Sequence, residues 1–140
     1  MSARSWRTAS PAETQALGAR LAEELLPSGA LLLTGDLAAG KTVLTQGVAS
    51  ALGIDPAEVQ SPTFTLVREH RGTRGRLLHL DLYRLEPGQT ASLGLEELLA
   101  EPAVKVIEWA ERLPLVVPGA LALHLARLGE EERLVQERTT

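Results

Sequence analysis

The sequence predicts a layered α/β domain, and three observations carry that prediction. An apolar run, Ala30-Leu31-Leu32-Leu33, breaks at a glycine-rich loop and continues into a helix-like stretch that closes at Gly53. Two later apolar runs, from Leu77 to Leu82 and from Val104 to Ile107, each carry an acid at or near their end, Asp81 and Glu108. Turn signals and a helical pattern lie between the runs, so strands alternate with helices, which supply the crossovers that parallel strands require.

The elements follow in order. Trp6 to Ala9 reads as a short strand or extended arm. Ser10-Pro11-Ala12-Glu13 opens a helix, with Ser10 at the N-cap, proline at the first helical position and Glu13 closing a capping box. Leu17, Leu21 and Leu25 recur every four residues as its buried stripe. Pro27-Ser28-Gly29 ends it. After the central strand and loop, a helix runs to about Leu52, and Asp55-Pro56 starts a turn. Ser61-Pro62-Thr63-Phe64-Thr65-Leu66-Val67 is extended, because Pro62 biases Ser61 away from helix and most of the rest is β-branched or aromatic. Gly72-Thr73-Arg74-Gly75 makes a hairpin turn, and Arg76 to Tyr83 returns as a strand. Ser92 to Leu99 is a short helix and Ala103 to Trp109 a strand. Leu121 to Leu125 and Arg133 to Gln136 are weaker strands.

At 140 residues the length fits one domain, residues 1–140. A 44% hydrophobic content supports a core, and a net charge of −4 argues against a general binder of nucleic acid or membrane. The chain has no cysteine, which removes disulfides, thiolate chemistry and cysteine metal sites. No apolar run approaches the roughly 18 residues of a membrane span, and Met1 to Trp6 has no apolar core behind it. A soluble, cytoplasmic protein is expected.

The central loop, Gly35-Asp36-Leu37-Ala38-Ala39-Gly40-Lys41-Thr42, reads G-x-x-x-x-G-K-T between a strand and a helix, the context of a phosphate-binding P-loop. Gly35 and Gly40 let successive N–H groups turn inward towards an anion, and the following helix adds the positive end of its dipole. Lys41 would reach the outer phosphates of a nucleotide, and the Thr42 hydroxyl would bind Mg2+. By average residue usage, this spacing arises by chance in roughly 0.5% of chains this long. Lysine is also scarce: Lys41 and Lys105 are the only two, against twelve arginines.

Phosphates alone do not make a reaction; hydrolysis or transfer also needs a carboxylate for Mg2+ or water and a residue that senses the γ-phosphate. Asp81, in His79-Leu80-Asp81-Leu82-Tyr83-Arg84, would by itself read as a capping residue at a strand end. With a P-loop upstream, a Walker-B-like acid is the better reading. Glu108 repeats the device and could contact Mg2+ directly or through water. Trp109, next to it, reads equally as a side chain beside the nucleotide or a large core residue. Thr63 falls where switch segments meet Mg2+ and the γ-phosphate. Arg68, Arg71, Arg74 and Arg76 form a basic run on the hairpin, usually a solvated tip and otherwise a contact for an acidic partner. His70, His79 and His124 lack the mutual spacing of metal ligands.

Together the P-loop, Ser61-Pro62-Thr63-Phe64-Thr65-Leu66-Val67, His79-Leu80-Asp81-Leu82-Tyr83-Arg84 and Ile107-Glu108-Trp109, in this order, make the chain resemble the TsaE family. These are small bacterial P-loop ATPases of tRNA threonylcarbamoyladenosine biosynthesis. The resemblance runs from about Ser10 to Trp109 and implies a three-layer P-loop NTPase fold with a mixed, mostly parallel central sheet. It also implies ATP/ADP and Mg2+ as cofactors, with Lys41 on phosphate and Thr42 and Glu108 on Mg2+. Asp81 would be the essential acid, also close to the metal, Thr63 part of a mobile switch, and Ser10 and Pro11 neighbours of the adenine. Family members associate with the TsaB–TsaD pair, in which TsaD transfers threonylcarbamoyl to adenosine beside the anticodon, and TsaE keeps the assembly turning over. An indirect or weak tRNA contact through the arginine hairpin fits that setting.

Two residues depart from the family's usual G-D-L-G-A-G-K-T-T. Ala38 replaces a glycine, which is tolerable only where the backbone stays in a region open to L-residues. Val43 replaces a threonine whose hydroxyl could bond the α-phosphate, a loss of about 1 kcal/mol. Two other readings stand beside the ATPase: a small P-loop kinase with its own acceptor, and a nucleotide-bound switch with negligible turnover.

Overall fold

The computed structural model describes residues 3–36, 38–60, 67–83 and 94–138. Leu37, Thr63 and Arg84, with the rest of the extended segment expected before Val67 and the start of the helix expected at Ser92, lie outside them. The described elements are β1 (Ser5–Thr8), α1 (Pro11–Leu25), β2 (Ala30–Thr34), α2 (Lys41–Ala51), β3 (Val67–Arg71), β4 (Arg76–Asp81), α3 (Leu95–Leu99), β5 (Val104–Glu108), β6 (Leu121–Arg127) and β7 (Arg133–Arg138). Short 3-10 turns occupy Pro56–Glu58 and Ala110–Arg112.

Among the described residues the strands form one seven-stranded sheet in the order β1-β7-β6-β2-β5-β4-β3. Its four central strands, β6, β2, β5 and β4, are parallel, while β3, β7 and β1 join antiparallel at the edges. The C-terminal residues thus complete the sheet: β6 lies directly beside β2, and the hairpin to β7 brings β1 in on the far side.

Local chemistry accounts for the boundaries. Ser10 Oγ accepts from Glu13 N at 3.2 Å, as an N-cap should, but the Glu13 carboxylate accepts from Ala9 N at 2.8 Å. The reciprocal arm of the capping box therefore lands one residue early. The expected strand to Tyr83 stops at Asp81, because Asp81 Oδ1 accepts from Tyr83 N at 2.9 Å and turns the chain. The expected strand to Trp109 stops at Glu108, because Trp109 takes a left-handed backbone with φ 57°.

The two faces of the sheet are covered unequally. On one, Leu17, Leu21 and Leu25 of α1 and Leu44 and Val48 of α2 pack on Leu31, Leu33, Leu77, Val104 and Val106. The helices meet at Gly18 and Gly47: an added Cβ would lie 2.2 Å from Leu44 O at the first and 1.9 Å from Gln15 O at the second. Both glycines sit inside helices, where each costs about 1 kcal/mol against alanine, and the backbone approach they permit offsets that. On the other face Leu78, Leu80 and Ile107 are covered by the single turn and a half of α3 and by apolar residues of the stretch from Trp109 to Ala120. This third layer is thin.

Parallel strands on this scaffold end on the same side. The register aligns Leu33 of β2 with Glu108, and Glu108 with Asp81 of β4. With side chains alternating along each strand, His79, Asp81, Val106, Glu108 and Leu33 all face α2.

Candidate functional site

The strand β2 delivers the chain to Gly35, whose φ of 138° and close approach to Leu125 O (2.4 Å from an added Cβ) admit no side chain. Ala39 N donates to Asp36 O at 3.1 Å and closes the loop. Gly40, at φ 100°, is the N-cap of α2, and Lys41 is its first residue. Ala38 adopts φ 65°. That is the small left-handed region, open to an alanine but unfavourable by roughly 1–2 kcal/mol. The condition for tolerating Ala38 is met only at that cost.

Lys41 is buried. Its ammonium donates to Gly35 O within the loop and lies 3.7 Å from the centroid of the Trp109 ring. Among the described residues no carboxylate lies within ion-pairing distance of Nζ. Burial pushes the ammonium below the usual lysine range, and Glu108, Glu111, Asp81 and Asp36, acting from further away, oppose that. A cation at a helix N-terminus also stands at the wrong end of the helix dipole. A bound anion relieves both penalties.

The Thr42 hydroxyl, on the next residue, faces the Glu108 carboxylate, 3.3 Å from one oxygen and 3.4 Å from the other. These contacts are longer than a strong O–H···O bond. Asp81 is opposite Glu108 in the β4–β5 register, and both acids are almost fully buried. The donor set is hard oxygen, the kind that Mg2+ takes. Among the described residues no three His, Cys, Asp or Glu side chains form a metal cage of their own. An ion here would complete its shell with phosphate oxygens and water.

The remaining expected residues divide. Trp109 packs, partly buried, on the core of the thin layer, with its ring over Lys41 and 4.8 Å from the Tyr83 ring. Ser10 is occupied by its capping bond, and among the described residues no hydrogen bond joins Ser10 or Pro11 to the loop. They reach the same corner through β1, whose last residue, Thr8, pairs with Arg133 of β7. Val43 is half-buried in the first turn of α2. Leu37 and Thr63 lie outside the described residues. On the hairpin, Arg71 and Arg76 pair with Glu69, Arg76 also reaches Glu101, and Arg74 pairs with Glu23. Three of its four arginines are therefore already neutralised.

Two further residues belong to the site, and of these only His79 stands in a segment that the sequence singles out. Arg133 lies against the P-loop, 3.6 Å from where a Cβ on Gly40 would be, with its guanidinium held by the carbonyls of Gly129, Glu130 and Glu132. His79, fully buried, donates from Nε2 to Glu108 Oε2 at 2.5 Å. Period-two alternation places His79 on the face of Asp81, but no spacing rule links it to a residue 29 positions away.

Comparison with known proteins bears on the family and the fold. The family described as Threonylcarbamoyl adenosine biosynthesis protein TsaE matches residues 8–137. The tRNA threonylcarbamoyladenosine biosynthesis protein TsaE of Bacillus subtilis is 40% identical over 129 residues, covering 91% of this chain and 80% of that protein. Its counterpart in Nostoc sp. is 48% identical over 104 residues, 70% of this chain and 62% of the relative. The crystal structure of Bacillus subtilis YdiB superposes with a TM-score of 0.78 at 33% identity, over 97% of this chain and 84% of that one. The chain belongs to the TsaE family of tRNA threonylcarbamoyladenosine biosynthesis.

Proposed function

We propose that the chain binds ATP and ADP with Mg2+ and hydrolyses ATP, and that this cycle serves a TsaB–TsaD pair that adds threonylcarbamoyl to adenosine next to the tRNA anticodon. The observation that carries the proposal is Lys41: a buried ammonium at a helix N-terminus, next to a glycine-rich loop, with no carboxylate of the described residues at bonding distance. The backbone from Gly35 to Val43 cradles the phosphates and Lys41 neutralises the outer ones. The Thr42 hydroxyl and the Glu108 carboxylate hold Mg2+, and Asp81, beside Glu108 in register, holds the metal's water or the attacking water. Mg2+, when bound, would neutralise charge that builds on the phosphate oxygens. Trp109 and Tyr83 wall the Lys41 side of the site, Ser10 and Pro11 border the adenine, and Thr63 senses the γ-phosphate as part of a switch.

The test is ATP hydrolysis by the purified protein, alone and with TsaB–TsaD from the same source. Slow turnover alone that rises when the pair is added supports both the activity and the partner. Nucleotide binding without turnover in either case replaces the ATPase with a nucleotide switch, and phosphate transfer to an acceptor replaces it with a kinase.

A further inference from the structure

The strand β4 is aliphatic around one buried imidazole, with Leu77, Leu78, Leu80 and Leu82 all buried beside His79. A residue needed only for packing there would be another aliphatic. His79 instead makes one hydrogen bond, Nε2 to Glu108 Oε2, while its buried Nδ1 has no partner among the described residues. With Nε2 as the donor, the imidazole is the tautomer protonated there and the Glu108 carboxylate accepts. An unpaired nitrogen in a core is destabilising. A local cost of this kind is expected where a site requires the group.

The register explains what the bond does. His79 is opposite Val106 and Asp81 is opposite Glu108, so the imidazole reaches diagonally, on one face of the sheet, to the carboxylate two residues further along β5. It holds Oε2 from the strand side. Thr42 faces the same carboxylate from α2, 3.4 Å from Oε1 and 3.3 Å from Oε2. Without His79 the carboxylate keeps only the long Thr42 contacts, and more of its side-chain freedom must be lost when the metal binds. We propose that His79 is a positioning residue that presets Glu108 for Mg2+ beside Thr42, and so sets the metal affinity of the nucleotide complex. This rests on the assignment of Glu108 to Mg2+ above.

The experiment measures ADP binding by calorimetry, in EDTA and across a Mg2+ titration, for the wild type, His79→Leu, His79→Gln and Glu108→Gln. A side-chain amide of glutamine places its nitrogen near the position of Nε2 and keeps the donor. His79→Leu is expected to bind ADP in EDTA like the wild type and to need roughly 10–100-fold more Mg2+, the usual effect of losing a partner that orients a metal ligand. His79→Gln is expected to recover most of the difference. An unchanged Mg2+ requirement in His79→Leu overturns the proposal, as do equal defects in the leucine and glutamine variants, which would mark a packing role. Should His79→Leu fail to fold, His79→Asn, whose amide stops short of Glu108, replaces it with the same two outcomes. Glu108→Gln separates the two layers of the argument. A raised requirement there with none in His79→Leu refutes only the positioning role, and no change in either refutes the assignment of Glu108 and the proposal with it.

Discussion

The two lysines of the chain lie at opposite ends of the parallel strands and make an internal control for each other. Lys41 follows the C-terminal end of β2 and is 5% exposed; Lys105 stands at the N-terminal end of β5 and is 3% exposed. Burial holds both ammonium groups below the usual lysine range. Their neighbours differ. Lys105 donates to Ser28 O at 2.9 Å, and among the described residues one carboxylate, Glu101, offsets its burial. Lys41 has a helix N-terminus and four acids arranged around it at longer range. Burial of a lysine is thus no mark of function by itself. Which end of the sheet it occupies, and whether its surroundings can take an anion, make the difference.

The largest expected effect tests that contrast directly. Lys41→Ala should abolish thermal stabilisation by ADP or ATP, which at a ligand concentration of 100 Kd amounts to about 2.7 kcal/mol in the wild type. Lys105→Met should keep that stabilisation in full. It should instead lower the denaturant midpoint by the equivalent of about 1–3 kcal/mol, because Ser28 O loses its donor. A nucleotide response that survives in Lys41→Ala, or disappears in Lys105→Met, breaks the comparison.

Asp81→Ala sharpens it at the same end of the sheet. Nucleotide binding should persist while hydrolysis falls to background, and equal turnover in mutant and wild type removes Asp81 from the mechanism. The smallest effects concern the two loop residues that depart from the family. Ala38→Gly should raise stability by about 1 kcal/mol, read in a denaturant melt, because it relieves the left-handed alanine. Val43→Thr should tighten ATP binding by about 1 kcal/mol through a regained hydroxyl, and unchanged affinity would show that no bond to phosphate forms there.

Much of the fold was legible because its signals are local. Ser10 and Pro11 start α1 where expected, and Leu17, Leu21 and Leu25 form its buried stripe. Gly72 to Gly75 turn the β3–β4 hairpin through a bond from Gly72 N to Gly75 O. The misjudged ends of β4 and β5 were decided by single interactions, the Asp81 turn and the left-handed Trp109, which override β-propensity at strand ends. The arginine run shows the opposite limit. In the sequence it is a block of positive charge, and its neutralisation depends on Glu69 within the hairpin and on Glu23 and Glu101, which are far away along the chain.

The sequence by itself determined the loop and its flanking strand and helix, because glycine geometry, capping and apolar periodicity act within a few residues. It also marked Asp81 and Glu108 as acids at strand ends. Only the tertiary structure decided that β2 runs between β6 and β5, which brings the C-terminal hairpin and Arg133 to the loop. Only it decided that α1 and α2 touch through Gly18 and Gly47, and that His79 holds Glu108 across a strand boundary. The physical reason is that strand order and register are settled by competition among long-range pairings, and a contact between residues 29 positions apart has no periodicity to announce it.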